Sequence, residues 1–324
     1  LGERMQRWTD AQLSVELDSP EIVFARVTPE QKTRVVRSLQ SKGHVVAVTG
    51  DGVNDAPALK VADIGIAMGI TGTDVAKEAA DMVLLDDNFA TIVNAVEEGR
   101  AVYQNVRKFL TYILTSNVPE LVPYLGFVLF RIPLPLTIMQ ILAVDLGTDM
   151  LPALALGAEP PDRSLMQEPP RSPRERLLSW PLLARAYFWL GLLQAAAAMA
   201  AFFYVLQLGG WSYGERLSPA DPLYLQATTA CMAAIVLAQV VNVFACRHTT
   251  RSMFSPGPGT NRLLLVGIGA EIGLLLLIVF TPAGQAAFGT APVPATAWLV
   301  MAALAIAFGA AEEIRKAMVR RRAR

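Results

Sequence analysis

The chain has 324 residues, 53% of them hydrophobic, and its 28 Lys and Arg balance 28 Asp and Glu. That length allows about two domains. The balance excludes a protein built around a basic nucleic-acid surface, and the apolar share exceeds that of ordinary soluble domains.

Residues 1–10 are polar and hold no apolar core of a signal peptide. The chain opens on Leu1 without an initiator Met, so it is expected to begin inside a longer protein. Cys231 and Cys246 are the only cysteines and lie in or beside apolar runs. They read as small buried hydrophobes, not as a disulfide or metal site.

Residues 1–104 read as soluble α/β. The run EIVFARV (21–27) predicts a strand, and Pro29 opens a helical pattern that Gly43 stops. HVVAV (44–48), IGIAM (64–68) and MVLL (82–85) predict further strands. Strands alternating with helices imply a parallel sheet.

From residue 105 the physics changes. Six apolar spans, near 106–130, 135–157, 182–208, 223–245, 262–281 and 294–311, are each about long enough to cross a bilayer at ~20 residues. Arg163, Arg171, Arg174 and Arg176 follow the second span; Arg247, Arg251 and Arg262 follow the fourth. Arg315, Lys316, Arg320, Arg321, Arg322 and Arg324 close the chain, whereas the alternate loops carry Arg131, then Arg216, then no base. This bias places both chain ends in the cytoplasm; the basic end, 313–324, also suits an anionic lipid surface. Residues 169–173 and 256–259 read as rigid Pro-rich connections, and no internal repeat is visible.

Two places concentrate chemistry. Thr49, Gly50, Asp51, Gly52, Val53, Asn54 and Asp55 follow an apolar strand and precede a helix, where open α/β sheets bind ligands. Two carboxylates and an amide there suit Mg²⁺ together with water and phosphate oxygens, although the spacing alone also fits a ligand-free turn. Lys32, at the start of the preceding helix, could pair with a phosphoryl group or a carboxylate.

The second place lies inside the spans, where an ionised group costs at least ~2.5–3.5 kcal/mol. Asn117 and Glu120 share a face of the first span, and Pro119 between them predicts a broken ladder with free carbonyls. Asp145, Thr148 and Asp149 share a face of the second span, with Gly147 permitting unwinding. Three acids at matching depth require a cation or protons. Gln239 and Asn242 on the fourth span and Glu271 on the fifth could add oxygens or simply bond between helices. Gln194 reads as interhelical glue, and the small residues 195–201 as close packing.

TGDGVNDAPALK (49–60), preceded by FARVTPEQK (24–32) and followed by DIGIAMG and VLLDDNF, closely resembles the hinge region of P-type ATPases, within the haloacid-dehalogenase superfamily. The likeness continues through EEGRAVYQN (97–105) and PPRSP (169–173), and SNVPE and DLGTD resemble the ion-binding fifth and sixth helices of type II pumps. It implies the C-terminal part of a phosphorylation domain (1–104), a six-helix cation-transport domain (105–312) and a basic cytoplasmic tail (313–324). It implies Asp51 as a Mg²⁺ ligand, Asn54 and Asp55 as its support, Thr49, Gly50 and Gly52 as the phosphate-side turn, and Lys32 as the lysine that neutralises the phosphorylated aspartate. Asn117, Glu120, Asp145, Thr148 and Asp149 become ligands of the transported cation, Ca²⁺ or a monovalent ion, with Gln239, Asn242 and Glu271 beside them.

Asp145 resembles sodium–potassium and proton–potassium pumps, whereas Asn242 stands where those pumps carry an aspartate. Neither the DKTGT motif of the phosphorylated aspartate nor the TGES loop occurs in the chain. The resemblance implies ATP as fuel, a missing N-terminal portion as partner, a plasma-membrane location, no nucleic acid and no turnover by this chain alone. Two other readings are a truncated, non-catalytic membrane fragment that binds cations or partner helices, and a secondary cation transporter; a phosphoryl site argues against the latter.

Overall fold

The computed structural model describes residues 5–19, 22–162, 164–172, 175–255 and 257–322. Arg163, Arg174 and Arg324, counted above for topology, and Glu21, Pro173 and Pro256 lie outside them. The chain forms two compact units that divide between Glu98 and Gly99.

The first unit holds helices α1 (Asp10–Glu16), α2 (Pro29–Ser41), α3 (Ala56–Val61) and α4 (Asp74–Ala79) and strands β1 (Ala47–Gly50), β2 (Ile64–Met68) and β3 (Met82–Leu84). The strands pair in parallel in the order β1-β2-β3, with Ala47 opposite Ile64 and Ile66 opposite Met82. Central β2 is buried along four of its five residues, as its unbroken apolar run requires when helices cover both faces. Thr28 begins α2 with a reciprocal cap: its hydroxyl accepts from Gln31 N while the Gln31 side chain accepts from Thr28 N. Gly43, at φ 85°, ends that helix in the left-handed conformation.

Three aspartates tie the loops to the sheet. Asp63 accepts from Val46 N at 2.8 Å and Asp81 from Gly65 N at 2.8 Å. Asp87 gathers Gly69, Ile70 and Thr71 N–H groups at 2.6, 3.0 and 2.8 Å. Gly72 is needed in the same loop, because a Cβ there would sit 1.9 Å from Met68 O.

Two sequence expectations change. Residues 22–27 form no strand, and Arg26 takes a left-handed φ of 57°. Strand geometry needs a ladder partner, and the only neighbour of β1 in the sheet is β2. β1 itself starts at Ala47, three residues later than the apolar run.

The second unit contains the six spans, each a helix long and apolar enough to cross a membrane. They are α5 (Phe89–Phe130, which begins in the first unit), α6 (Ile138–Gly157), α7 (Trp180–Leu208), α8 (Pro222–Cys246), α9 (Arg262–Phe280) and, after the short α10 (Pro282–Phe288), α11 (Ala295–Arg322). α8 is the most enclosed and packs on α7 and α11. Ala195, Ala197, Ala198 and Ala201 are buried, as the small-residue stretch predicts. Gly267 lets α9 approach α6, since a Cβ there would lie 3.0 Å from Pro152 N. Both cysteines are free and buried.

The expected break at Pro119 is absent: α5 runs unbroken through Pro119 and Pro123. A proline removes one donor but leaves the flanking ladder to hold the helix, so only isolated carbonyls are released. Irregularity falls instead on α6, where Ala143–Thr148 widens into a π-helical turn, and on α7, where Ala184–Gly191 does the same. Residues 313–322 continue α11 as helix, and Lys316 within them is fully buried.

The amide bonds to Asp87, that from Ile70 foremost, hold its carboxyl down at about 2 against the opposing effect of desolvation. Because the folded value is depressed, this contribution is complete above the ordinary aspartate value of ~3.9 and is lost as pH falls toward the folded one. Asp87→Ala should therefore expose the amides of residues 69–71 to hydrogen exchange at neutral pH while β2 stays protected. Unchanged protection of those amides would show that the loop is held by something else.

Candidate functional site

The loop after β1 is built by Asp55. Its Oδ2 accepts from the N–H groups of Asp51 at 3.3 Å and Gly52 at 3.2 Å, while Oδ1 pairs with the Lys32 ammonium. Partial burial pushes the Asp55 carboxyl up, but the bonds from Lys32, Gly52 and Asp51 outweigh this and hold it below the usual range. Gly50 is obligatory, since a Cβ would fall 2.4 Å from Asp55 Cβ. Thr73 N donates to Asp51 O at 2.8 Å and anchors the turn to the start of α4.

What remains outward is the Asp51 carboxylate, exposed, with the exposed Asn54 amide in the same turn. Thr49 and Gly50 close the strand beneath them. The structure thus assembles every soluble residue expected from the motif. It gives Asp55 a positioning role and leaves Asp51 as the free hard oxygen. That donor set fits Mg²⁺, which takes one or two carboxylates and fills its octahedron with water and phosphate oxygens.

In the membrane unit the acids fall into neighbouring pairs. Glu120 on α5 and Asp145 on the π-helical turn lie within hydrogen-bonding reach, and Glu120 Oε1 has no partner. Two carboxylates offer no donor to each other, so a proton or cation must separate them. Asp149, 1% exposed, is held by Tyr112 Oη at 3.4 Å and Gln239 Nε2 at 3.3 Å. Asn242 Nδ2 donates to Gln239 Oε1 at 3.0 Å and so orients that amide. Glu271, also 1% exposed, faces Asp149, and neither of its oxygens has a partner.

Thr148 is buried but its hydroxyl bonds Val144 O at 2.9 Å. Asn117 remains exposed and is not drawn in. Gln194, expected to glue helices, is fully buried with both amide atoms unpartnered. Among the described residues no three Asp, Glu, His or Cys side chains converge on one metal-sized point. The arrangement is therefore a row of oxygens from Glu120 through Asp145 and Asp149 to Glu271.

Tyr112 and Ser116 escaped the sequence reading as site residues. Both are buried beside Asp149. The signal was present: residues 112, 116 and 120 are spaced by four and share one face of α5.

Residues 133–318 match the family model described as cation transporting ATPase, C-terminus, and residues 5–63 match haloacid dehalogenase-like hydrolase. Sodium/potassium-transporting ATPase subunit alpha-2 of Gallus gallus is 39% identical over 99% of this chain and 34% of its own length. Subunit alpha-4 of Homo sapiens is 41% identical over 93% of this chain and 32% of its own length. The chain spans about a third of the length of the curated relatives it matches. A hinge motif folded as a Mg²⁺-compatible turn, followed by acid-bearing membrane helices and matched along more than half the chain, makes this protein a member of the P-type cation-transporting ATPase family.

Proposed function

We propose that this chain forms the hinge of the phosphorylation domain and the cation path of an ATP-driven pump. The observation that carries the reading is Asp149, buried and held by Tyr112 and Gln239, with the unpartnered Glu271 and the Glu120–Asp145 pair in electrostatic range. Buried oxygens of this density are unstable without positive charge. A cation entering the row would satisfy the unpartnered oxygens of Glu120 and Glu271, and its departure would require protons in its place.

The Asp145 resemblance and the names of the relatives support a monovalent ion over Ca²⁺. At the turn after β1, Asp51 would hold Mg²⁺, which neutralises charge on a transferring phosphoryl group. Lys32, already neutralised by Asp55, would be shared with that phosphoryl group. The phosphorylated aspartate and the nucleotide site belong to the portion of the pump that this sequence does not include, so the chain by itself is inactive. The pump resides in the plasma membrane with both ends of this chain in the cytoplasm.

Asp51→Asn in the full-length pump should lower phosphoenzyme at limiting Mg²⁺ at least ~tenfold. Phosphoenzyme at the wild-type level would remove Asp51 from the metal site.

For transport, Asp149→Asn and Glu271→Gln should each weaken cation activation of ATPase activity by about tenfold, roughly 1.4 kcal/mol. Tyr112→Phe should weaken it less, because only one neutral donor is lost. Unchanged cation affinity in all three would place the path elsewhere.

Topology is tested by single cysteines. Ser212→Cys in sealed cells should react with an impermeant reagent and Ser255→Cys should not. Both positions are exposed, whereas native Cys231 and Cys246 are buried and should stay silent. The opposite pattern would invert the orientation.

A further inference from the structure

A second concentration of charge lies apart from the row of acids, where α5, α7, α8 and α11 meet near their membrane ends. A cavity of about 510 Å³ opens there, within the range of small-molecule sites at ~300–1,000 Å³. Among the described residues it is lined by Arg107, Lys108, Arg185, Arg247, Arg251 and Arg315. Only two acids, Asp162 and Glu168, share that lining.

The counter-charges behind the wall do not balance it. Glu312, fully buried, serves both Arg185 and Arg315 at 2.8 Å. Lys316, also fully buried, adds a third cation and spends a bond on Ala245 O at 3.0 Å. Glu159 likewise serves both Lys108 at 2.9 Å and Arg247 at 2.5 Å. Arg251 pairs with Asp162 and Arg107 with Glu175, one to one.

One donor is left over: Arg185, whose side chain is 9% exposed, has an Nε without a partner, and the His248 ring on the same wall has an unpartnered Nε2. A buried guanidinium N–H without an acceptor is destabilising, and an anionic oxygen in the cavity would relieve it.

We propose that this cavity binds a phosphate-bearing anion, either a soluble phosphomonoester or the headgroup of an anionic lipid. Several guanidinium forks around one space match the tetrahedral oxygens of phosphate better than a planar carboxylate. Position also fits, since the cavity lies at the ends of the spans, where lipid phosphates reside. The anion would accept from Arg185 Nε and offset the surplus around Glu312. Its effect would be to lock α5, which carries Glu120, to α7, α8 and α11.

The test uses the full-length protein and follows its thermal unfolding midpoint. One arm adds glycerol 3-phosphate to protein in detergent micelles, against glycerol with chloride at equal ionic strength. The other compares nanodiscs of phosphatidylcholine with nanodiscs that also contain phosphatidic acid. A rise of several degrees is expected in at least one arm. A response to glycerol 3-phosphate assigns a soluble ligand; a response to phosphatidic acid alone assigns the lipid. Arg185→Gln should abolish the rise, but it also strips Glu312 of a partner and can unfold the bundle. Arg107→Gln with Arg251→Gln, both partly exposed, is therefore the deciding variant and should weaken half-saturation about tenfold. No rise in either arm, or an identical response in the double variant, would overturn the site.

Discussion

Moving a carboxylate into a bilayer costs several kcal/mol unless positive charge or donors accompany it, and Asp149 is where this constraint acts hardest. Its two oxygens are met by one donor from α5, Tyr112, and one from α8, Gln239. Those contacts fix how three helices meet. The Gln239 amide must present nitrogen to Asp149, which obliges its oxygen to accept from Asn242. Asn242 in turn faces Cys246 at 3.5 Å. One buried charge thus orders a chain of polar groups along two turns of α8, in a helix otherwise packed through small apolar residues.

The same economy explains why the helical irregularity falls on α6 and not on α5. Proline in α5 releases carbonyls while preserving the rod, so Tyr112, Ser116 and Glu120 stay in line on one face. In α6 the widened turn at Ala143–Thr148 redirects Asp145 toward Glu120 and leaves Asp149 facing α8. A straight α-helix would place residues 145 and 149 on the same face, pointing at the same neighbour. Both acids still reach α5, Asp145 at Glu120 and Asp149 at Tyr112, while Asp149 also meets Gln239 of α8.

At the other end of the bundle, buried ion pairs do different work. Arg247 and Lys108 converge on Glu159, and Asn105 bonds Glu159 O at 2.5 Å. These ties join the loop after α6 to α5 and α8. Buried pairs of this kind add little net stability relative to apolar packing but are costly to break singly. They specify which helices meet. Arg247, counted above in the charge bias of the loops, is also a buried structural cation, its side chain 1% exposed.

Most of the architecture was legible in the sequence because it rests on local physics. Twenty-residue apolar runs read as spans, and IGIAM as a strand. Thr28-Pro29 opens a helix and Gly43 closes it. Spacing alone brought Asp51, Gly52 and Asp55 into one turn. Residues 22–27 misled because an apolar β-branched run reports strand propensity, whereas a strand exists only where a neighbour supplies the ladder. Sequence could place Asp145 and Asp149 on one helix. Only tertiary structure assigned Asp145 to Glu120, and Asp149 to Tyr112, Gln239 and Glu271. Those partners lie up to 122 residues away along the chain, between Asp149 and Glu271, and no local pattern encodes which faces meet. That is decided by close packing around Gly267 and the α7–α8 alanines, and by the low dielectric, which makes each buried carboxyl without a donor or cation costly.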